Sequence, residues 1–169
     1  METLLQTNEK KGANKVLLGA LLAAAVLVAG AVYLFSLNPS TDEKKQQLLA
    51  DSYLEGSPEF EQYTKDIVIQ TDMENIMQSP TGMGTIMMSV PAKIRNKGQK
   101  TVSALEVKVA VVDLAGKVVR EKKLLVVPGQ QHQTLQPGQI IPITASVEGF
   151  KRDDDRANVR WKVTAIKVK

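Results

Sequence analysis

One unbroken apolar run, Val16 to Leu37, reads VLLGALLAAAVLVAGAVYLFSL and contains no charge. Its 22 residues, at ~1.5 Å rise per residue, make ~33 Å of helix, about the thickness of a bilayer's hydrocarbon core. The run therefore predicts a single transmembrane helix at 16–37, with a tail at 1–15 and everything after Asn38 on one side of the membrane. Lys10, Lys11 and Lys15 precede the run and only Lys44 and Lys45 follow it, which by the positive-inside rule puts the N-terminus in the cytoplasm. The expected address is the cytoplasmic (inner) membrane of a bacterium, with residues 38–169 periplasmic or otherwise extracytoplasmic. Ala29-Gly30-Ala31 has the small-x-small form of a signal-peptide cleavage site. Because the apolar run continues through Tyr33 and Phe35, which suit an interfacial aromatic belt, a retained anchor is the expectation. Gly19/Ala23, Ala20/Ala24 and Ala25/Ala29 repeat the small-xxx-small spacing of close helix pairs, which leaves a homodimer open.

Behind the anchor, Ser40-Thr41-Asp42-Glu43 reads as a capping box. It predicts a helix running through Leu48, Leu49, Tyr53 and Leu54 to a stop at Gly56. Ser57-Pro58 then starts a short second helical turn carrying Phe60 and Tyr63. Residues 38–65 are thus expected to be a helical stalk.

From Asp66 the period changes from helical to alternating. Ile67 and Ile69; Ile86, Met88, Val90, Ala92 and Ile94; Leu105, Val107, Val109 and Val111; and Ile141, Ile143, Ala145 and Val147 each recur at every second residue. That spacing puts each set on one face of a strand. Turn signals at Ser79-Pro80-Thr81-Gly82, Asn96-Lys97-Gly98, Asp113-Leu114-Ala115-Gly116, Pro128-Gly129 and Pro137-Gly138 separate them. With 117–127 and 158–168, the pattern predicts ~6 or 7 strands over 66–169, packed as an antiparallel, immunoglobulin-like sandwich. Pro91 marks its strand as an edge or a bulge, since proline cannot donate to a ladder. Val159, Trp161 and Val163 alternate with Arg160 and Lys162, so Trp161 is the expected core anchor. The phase slip at Ala165–Ile166 predicts a bulge.

The chemistry-bearing residues are few. Zero cysteines exclude a disulfide framework, thiolate metal sites and a Cys nucleophile. His132 is the single histidine and reads as a loop residue. No nucleophile elbow is present, and Gly82-Met83-Gly84 lacks the Lys and the Ser or Thr of a phosphate loop. Asp153-Asp154-Asp155 lacks the alternating spacing of a calcium loop and reads as an acidic turn. Met73, Met77, Met83, Met87 and Met88 read as core filling rather than a copper site. No catalytic residue, cofactor or metal is expected.

Charge is distributed unevenly. Residues 38–92 hold 3 Lys and 9 acids, net −6, whereas 93–169 hold 16 Lys or Arg and 7 acids, net +9. If Lys93, Arg95, Lys97 and Lys100 share a sheet face with Arg160, Lys162, Lys167 and Lys169, they form a patch able to hold lipid phosphates or anionic envelope polymers. Nucleic acid fits poorly, because Phe150 and Trp161 are the domain's only aromatics for stacking bases.

Three stretches carry a family resemblance: Ile94-Arg95-Asn96-Lys97-Gly98, Leu105 to Val119 through Asp113-Leu114-Ala115-Gly116, and Leu135-Gln136-Pro137-Gly138. Over residues 84–169 the chain resembles FxLYD-type domains and related modules of unknown function in bacterial membrane-anchored and secreted proteins. In the stretch that gives those domains their name Asp113 is retained, while Val109, Val111 and Val112 replace the aromatic and leucine positions. The resemblance implies an immunoglobulin-like sandwich without established catalytic residues. The sequence thus leads to a non-catalytic, single-pass envelope protein whose sandwich contacts another envelope protein, with an anionic ligand on a basic sheet face as the alternative.

Overall fold

The computed structural model describes residues 15–37, 41–129 and 131–169. They fall into two units, divided between Lys44 and Lys45. In the first, the apolar run is one unbroken helix, α1 (Lys15–Leu37). Within α1, side chains are described at 19–21, 23–30, 32 and 33. Among the described residues no helix is long and apolar enough to cross a membrane, so the span expected at 16–37 has no support from the structure. A second helix, α2 (Thr41–Leu49), follows; Ser40 of the expected capping box lies outside the described residues.

The second unit is two antiparallel sheets. One has the order β1 (Tyr53–Leu54), β8 (Asn158–Val168), β5 (Val102–Val112), β6 (Val118–Val127). The other is built on β4 (Ile86–Asn96). β7 (Ile140–Phe150) lies along one side of β4, and β2 (Ile67–Thr71) and β3 (Met77–Pro80) follow end to end along the other. The alternating residues of both sheets meet between them. Ile94 and Ile141 pack with Leu105 and Val107 in one cluster, and Val90 and Ala145 pack with Val109 and Val111 in the other. A period of two thus becomes a buried layer, because each strand turns the same parity of residues inward.

Pro91 is not on an edge strand, and the register shift that β4 does carry falls at Ile86–Met88 rather than at Pro91. β4 is central, and Pro91 sits where its partner changes from β3, which ends opposite Ser89, to β2, which begins opposite Ala92. Its carbonyl accepts from Asp72 N at 2.9 Å in that gap. A strand residue's N and O point to the same side, so the missing donor faces the break between partners and costs no ladder bond. The bulge expected at Ala165–Ile166 lies one residue earlier. Glu106 pairs with Ala165 and Val107 with Val163, which leaves Thr164 out of register.

Two elements were not legible as strands. β3 is four exposed residues ending in proline, and β1 is two residues. β1 also changes the reading of the stalk. The helix predicted to reach Gly56 ends at Leu49, and Tyr53–Leu54 then pairs with Ile166–Ala165 of β8. Gly56, at φ +95°, turns the chain off that edge, a conformation glycine adopts without steric cost. Ser57 caps the next helix, α3 (Pro58–Thr64), by accepting from Phe60 N, and Phe60 is buried in the core. Residues 53–64 are therefore part of the compact unit.

Trp161 is half-buried rather than enclosed, packed against both core clusters. The reason is its strand's position. Between Asn158 and Thr164, β8 has β5 on one side and no strand on the other. The enclosed side chains come instead from central strands and their neighbours, among them Phe150, Ile94, Leu105 and Val109.

Candidate functional site

The structure divides the basic residues singled out by sequence. Lys93 and Arg95 lie on β4, Lys97 and Lys100 in the turn after it, and Arg160, Lys162 and Lys167 on β8 of the opposite sheet. They do not share one sheet face, because β4 and β8 belong to facing layers and their polar sides point away from each other. Several are also engaged. Lys162 pairs with Glu55, Lys167 with Asp51 at 2.9 Å, and Lys100 donates to the Tyr63 hydroxyl at 3.1 Å. Arg160 makes no ion pair among the described residues; its guanidinium lies over the turn at Gly116.

The outer face of the β8–β5–β6 sheet has a charge order of its own. Lys162, Lys108 and Lys123 stand directly opposite one another across the three strands. Like charges in that register repel, and each lysine has a carboxylate: Lys162 has Glu55, Lys108 has Glu121 at 3.2 Å, and Lys123 has Glu106 at 3.7 Å. Glu106 is nearly enclosed and also takes Lys45 of α2 at 2.5 Å and the Thr164 hydroxyl at 2.6 Å. Burial pushes its carboxyl up, but the hydrogen bonds from Lys45 and Thr164 and the charges of Lys45 and Lys123 outweigh that and hold it below the usual carboxylate range. Glu106 thereby holds the Thr164 bulge of β8 in place.

A further feature lies along the side where β2 and β8 run past each other. A cavity of about 440 Å³ is lined there by Phe60 and Thr64 of α3, Ile67, Ile69 and Thr71 of β2, and Val159, Trp161, Lys162 and Val163 of β8. The Trp161 indole N–H is shielded from solvent and has no hydrogen-bond partner. Buried donors normally find acceptors, so this one marks an unfinished contact.

The opposite side, between β6 and β7, is finished with charge. Arg120 and Lys122 stand opposite Val111 and Val109, in the parity that faces the core. Arg120 Nε donates to Gly149 O at 3.0 Å and Lys122 Nζ to Ser146 O at 2.8 Å, so two carbonyls of β7 are capped from β6. Further along, the loop carrying His132 roofs a cavity of about 320 Å³ beside Leu124 and Ile141.

Asn96 was passed over in the sequence, though a signal was there. The alternation Met88, Val90, Ala92, Ile94 continues to position 96 and puts a polar residue on the core side. Asn96 is buried; it donates to Lys100 O at 2.8 Å and Leu135 O at 3.1 Å and accepts from Gly98 N at 2.9 Å. Its backbone bonds Gln139 O and Gly138 N. Two of the stretches that carry the family resemblance, 94–98 and 135–138, are thus held together by one side chain. Of the aspartate triplet, Asp154 accepts from Lys151 N and Asp155 from Leu114 N, both at 2.8 Å, which makes them loop caps. Among the described residues no group of three His, Cys, Asp or Glu converges as a metal site.

No family model matches the chain, and no curated protein matches it. Similar solved structures include a β-glucuronidase from glycoside hydrolase family 2, 16% identical, with 58% of this chain covered and a TM-score of 0.37; the chain spans 9% of that enzyme. The ApaA protein of Bordetella pertussis is 14% identical, covers 61% of this chain and 91% of its own, and has a TM-score of 0.34. A structural-genomics target is likewise 14% identical, over 61% of this chain and 82% of its own, at a TM-score of 0.35. Likenesses of this size carry nothing about activity or ligand.

Proposed function

We propose that this protein is a non-catalytic interaction module of the bacterial envelope, an immunoglobulin-like sandwich held at the inner membrane by residues 16–37 and facing away from the cytoplasm. The anchor is supported by the uncharged run and its N-terminal lysines. The immunoglobulin-like reading is supported by the strand pairing: β4 with β7, β5 with β8 and β5 with β6 correspond to the B–E, C–F and C–C′ pairs of such sandwiches. The resemblance to FxLYD-type domains agrees with it. The observation that carries the interaction role is the uncovered β2–β8 side, where apolar side chains lie beside an unpaired strand edge.

Crosslinking in intact cells tests this role. A specific protein adduct on the domain that survives high salt is the expected outcome. Recovery of anionic polymer or lipid instead, lost at high salt and on Lys93→Ala with Arg95→Ala, favours the anion-binding reading, for which Lys93, Arg95 and Lys97, on β4 and the turn after it, are cations that make no ion pair among the described residues.

A further inference from the structure

We infer that the free edge of β8 from Asn158 to Val163 is a strand-acceptor site, and that its occupant is an extended segment of another protein in which apolar and acidic residues alternate. The inference deepens the interaction-module reading and rests on it. In an immunoglobulin-like sandwich the position beside the F strand belongs to strand G. Here β8 corresponds to F, and among the described residues the only strand in that position is β1, opposite Ile166 and Ala165, before Gly56 turns the chain into α3, which also packs against β8. Beyond that point β8 presents unpaired backbone next to a cavity of mixed lining, apolar at Val159, Trp161 and Val163 and polar at Thr64, Thr71 and Lys162, the combination that strand addition uses: main-chain bonds for affinity, pockets under alternate side chains for choice.

The sequence of β8 specifies the occupant. Its inward residues Val159, Trp161 and Val163 line the cavity with Ile67 and Ile69, and Thr64 and Thr71 border it, so the inward residues of an added strand that meet Val159, Trp161 and Val163 are expected to be apolar. A cavity of about 440 Å³ takes two or three such side chains. Its outward residues Arg160 and Lys162 put positive charge beside the intervening positions. The chain already shows the preference, since Glu55, the residue just after β1, pairs with Lys162. A second copy offering its own β8 brings Arg160 and Lys162 against the same cations, so charge disfavours a symmetric dimer through this edge.

Trp161 is the only tryptophan, so its emission reports the site directly. The full chain in detergent micelles is titrated with a capped five-residue peptide alternating valine and glutamate. A saturable blue shift is expected, with affinity at least tenfold weaker for the same peptide carrying lysine for glutamate, and no saturation when alternate amides are N-methylated. Arg160→Glu, at an exposed position, should reverse the glutamate-over-lysine preference. Absence of a shift, or equal binding by all three peptides, overturns the inference. In parallel, a photo-crosslinking residue is placed at Val159 or at Lys93 in cells. An adduct at 159 with an acidic, extended segment of another protein supports the assignment. Protein adducts from 93 alone overturn the edge assignment while the module reading stands; a self-adduct from 159 overturns the choice of occupant; failure at both positions removes both readings.

Discussion

The two long sides of the sandwich face the same problem and solve it differently. On each, the edges of two sheets run past one another and leave backbone groups and core side chains near solvent. Along the part of the β6–β7 side next to Gly149 and Ser146 the core-facing positions carry Arg120 and Lys122, whose heads cap those two carbonyls, while further along Leu124 and Ile141 border a cavity of about 320 Å³. Between β2 and β8 the same parity carries Val159, Trp161 and Val163, and the strand edge beside them has no cap. An edge strand with inward charges refuses a further strand. One with inward apolar residues and a free backbone accepts it.

The largest effect that separates the sides comes from truncating one aromatic on each. Phe150 is fully enclosed at the end of β7, and Phe150→Ala should cost about 4 kcal/mol. Trp161, half-buried on the open side, should cost about 2 kcal/mol when cut to alanine, because part of its surface stays in contact with solvent. Far-UV circular dichroism during urea unfolding measures both. Equal losses would mean that the β2–β8 side is as closed as the other.

Next comes Glu106, which pins β8 where it leaves its neighbour. Its carboxyl titrates below the usual range in the folded protein. Its contribution is therefore complete above the unfolded value of ~4.3 and is lost as pH falls through the lower folded value. Glu106→Gln should cost about 2 kcal/mol at pH 7, by leaving Lys45 and Lys123 without their shared anion. Variant and parent should converge as pH drops below 4. A gap that persists at low pH would show that packing, not charge, holds the bulge.

Much of this architecture could be read from the sequence. Strict alternation located β2, β4, β5 and β7, because one buried face imposes a period of two on any strand long enough to display it. β1 and β3 were invisible for the same reason, since two and four residues, exposed or paired at one end, carry no period. Pro91 misled because the rule about proline concerns an unmet donor, and a central strand can face a gap between successive partners. The candidate site was less legible. The basic residues were visible as a set, but strand parity cannot say which of two sheets a strand joins, and here that assignment split them. Trp161 was found; its exposure depended on which strand lay beside β8, a tertiary fact. Arg120 and Lys122 were hidden in a run of four charges, Arg120-Glu121-Lys122-Lys123, with alternate residues turned inward.

The closed side can be opened. Arg120→Met with Lys122→Met keeps the aliphatic stems over the core and removes the caps on β7. Each loss should cost about 1 kcal/mol, since solvent takes over part of the bonding. The larger consequence should be concentration-dependent association in sedimentation, as an uncapped edge becomes available to a second molecule. A double variant that stays monodisperse would show that the caps are not what protects this side.

The smallest effect is expected where the static picture suggests the most. Lys162 and Glu55 are in close contact, but both are more than half exposed, so solvent and salt weaken their attraction. Lys162 also stands directly opposite Lys108, and its removal relieves that repulsion. The two consequences of Lys162→Ala oppose each other, and the melting midpoint should stay within about 2 °C of the parent. Salt provides the sharper measurement. Screening attraction and repulsion together should leave parent and variant with nearly the same salt dependence, whereas a parent that loses much more stability with salt would mean that the Glu55 pair holds β1 on β8. In that case the free edge of β8 would begin at a contact under ionic control, and the open side would be adjustable rather than fixed.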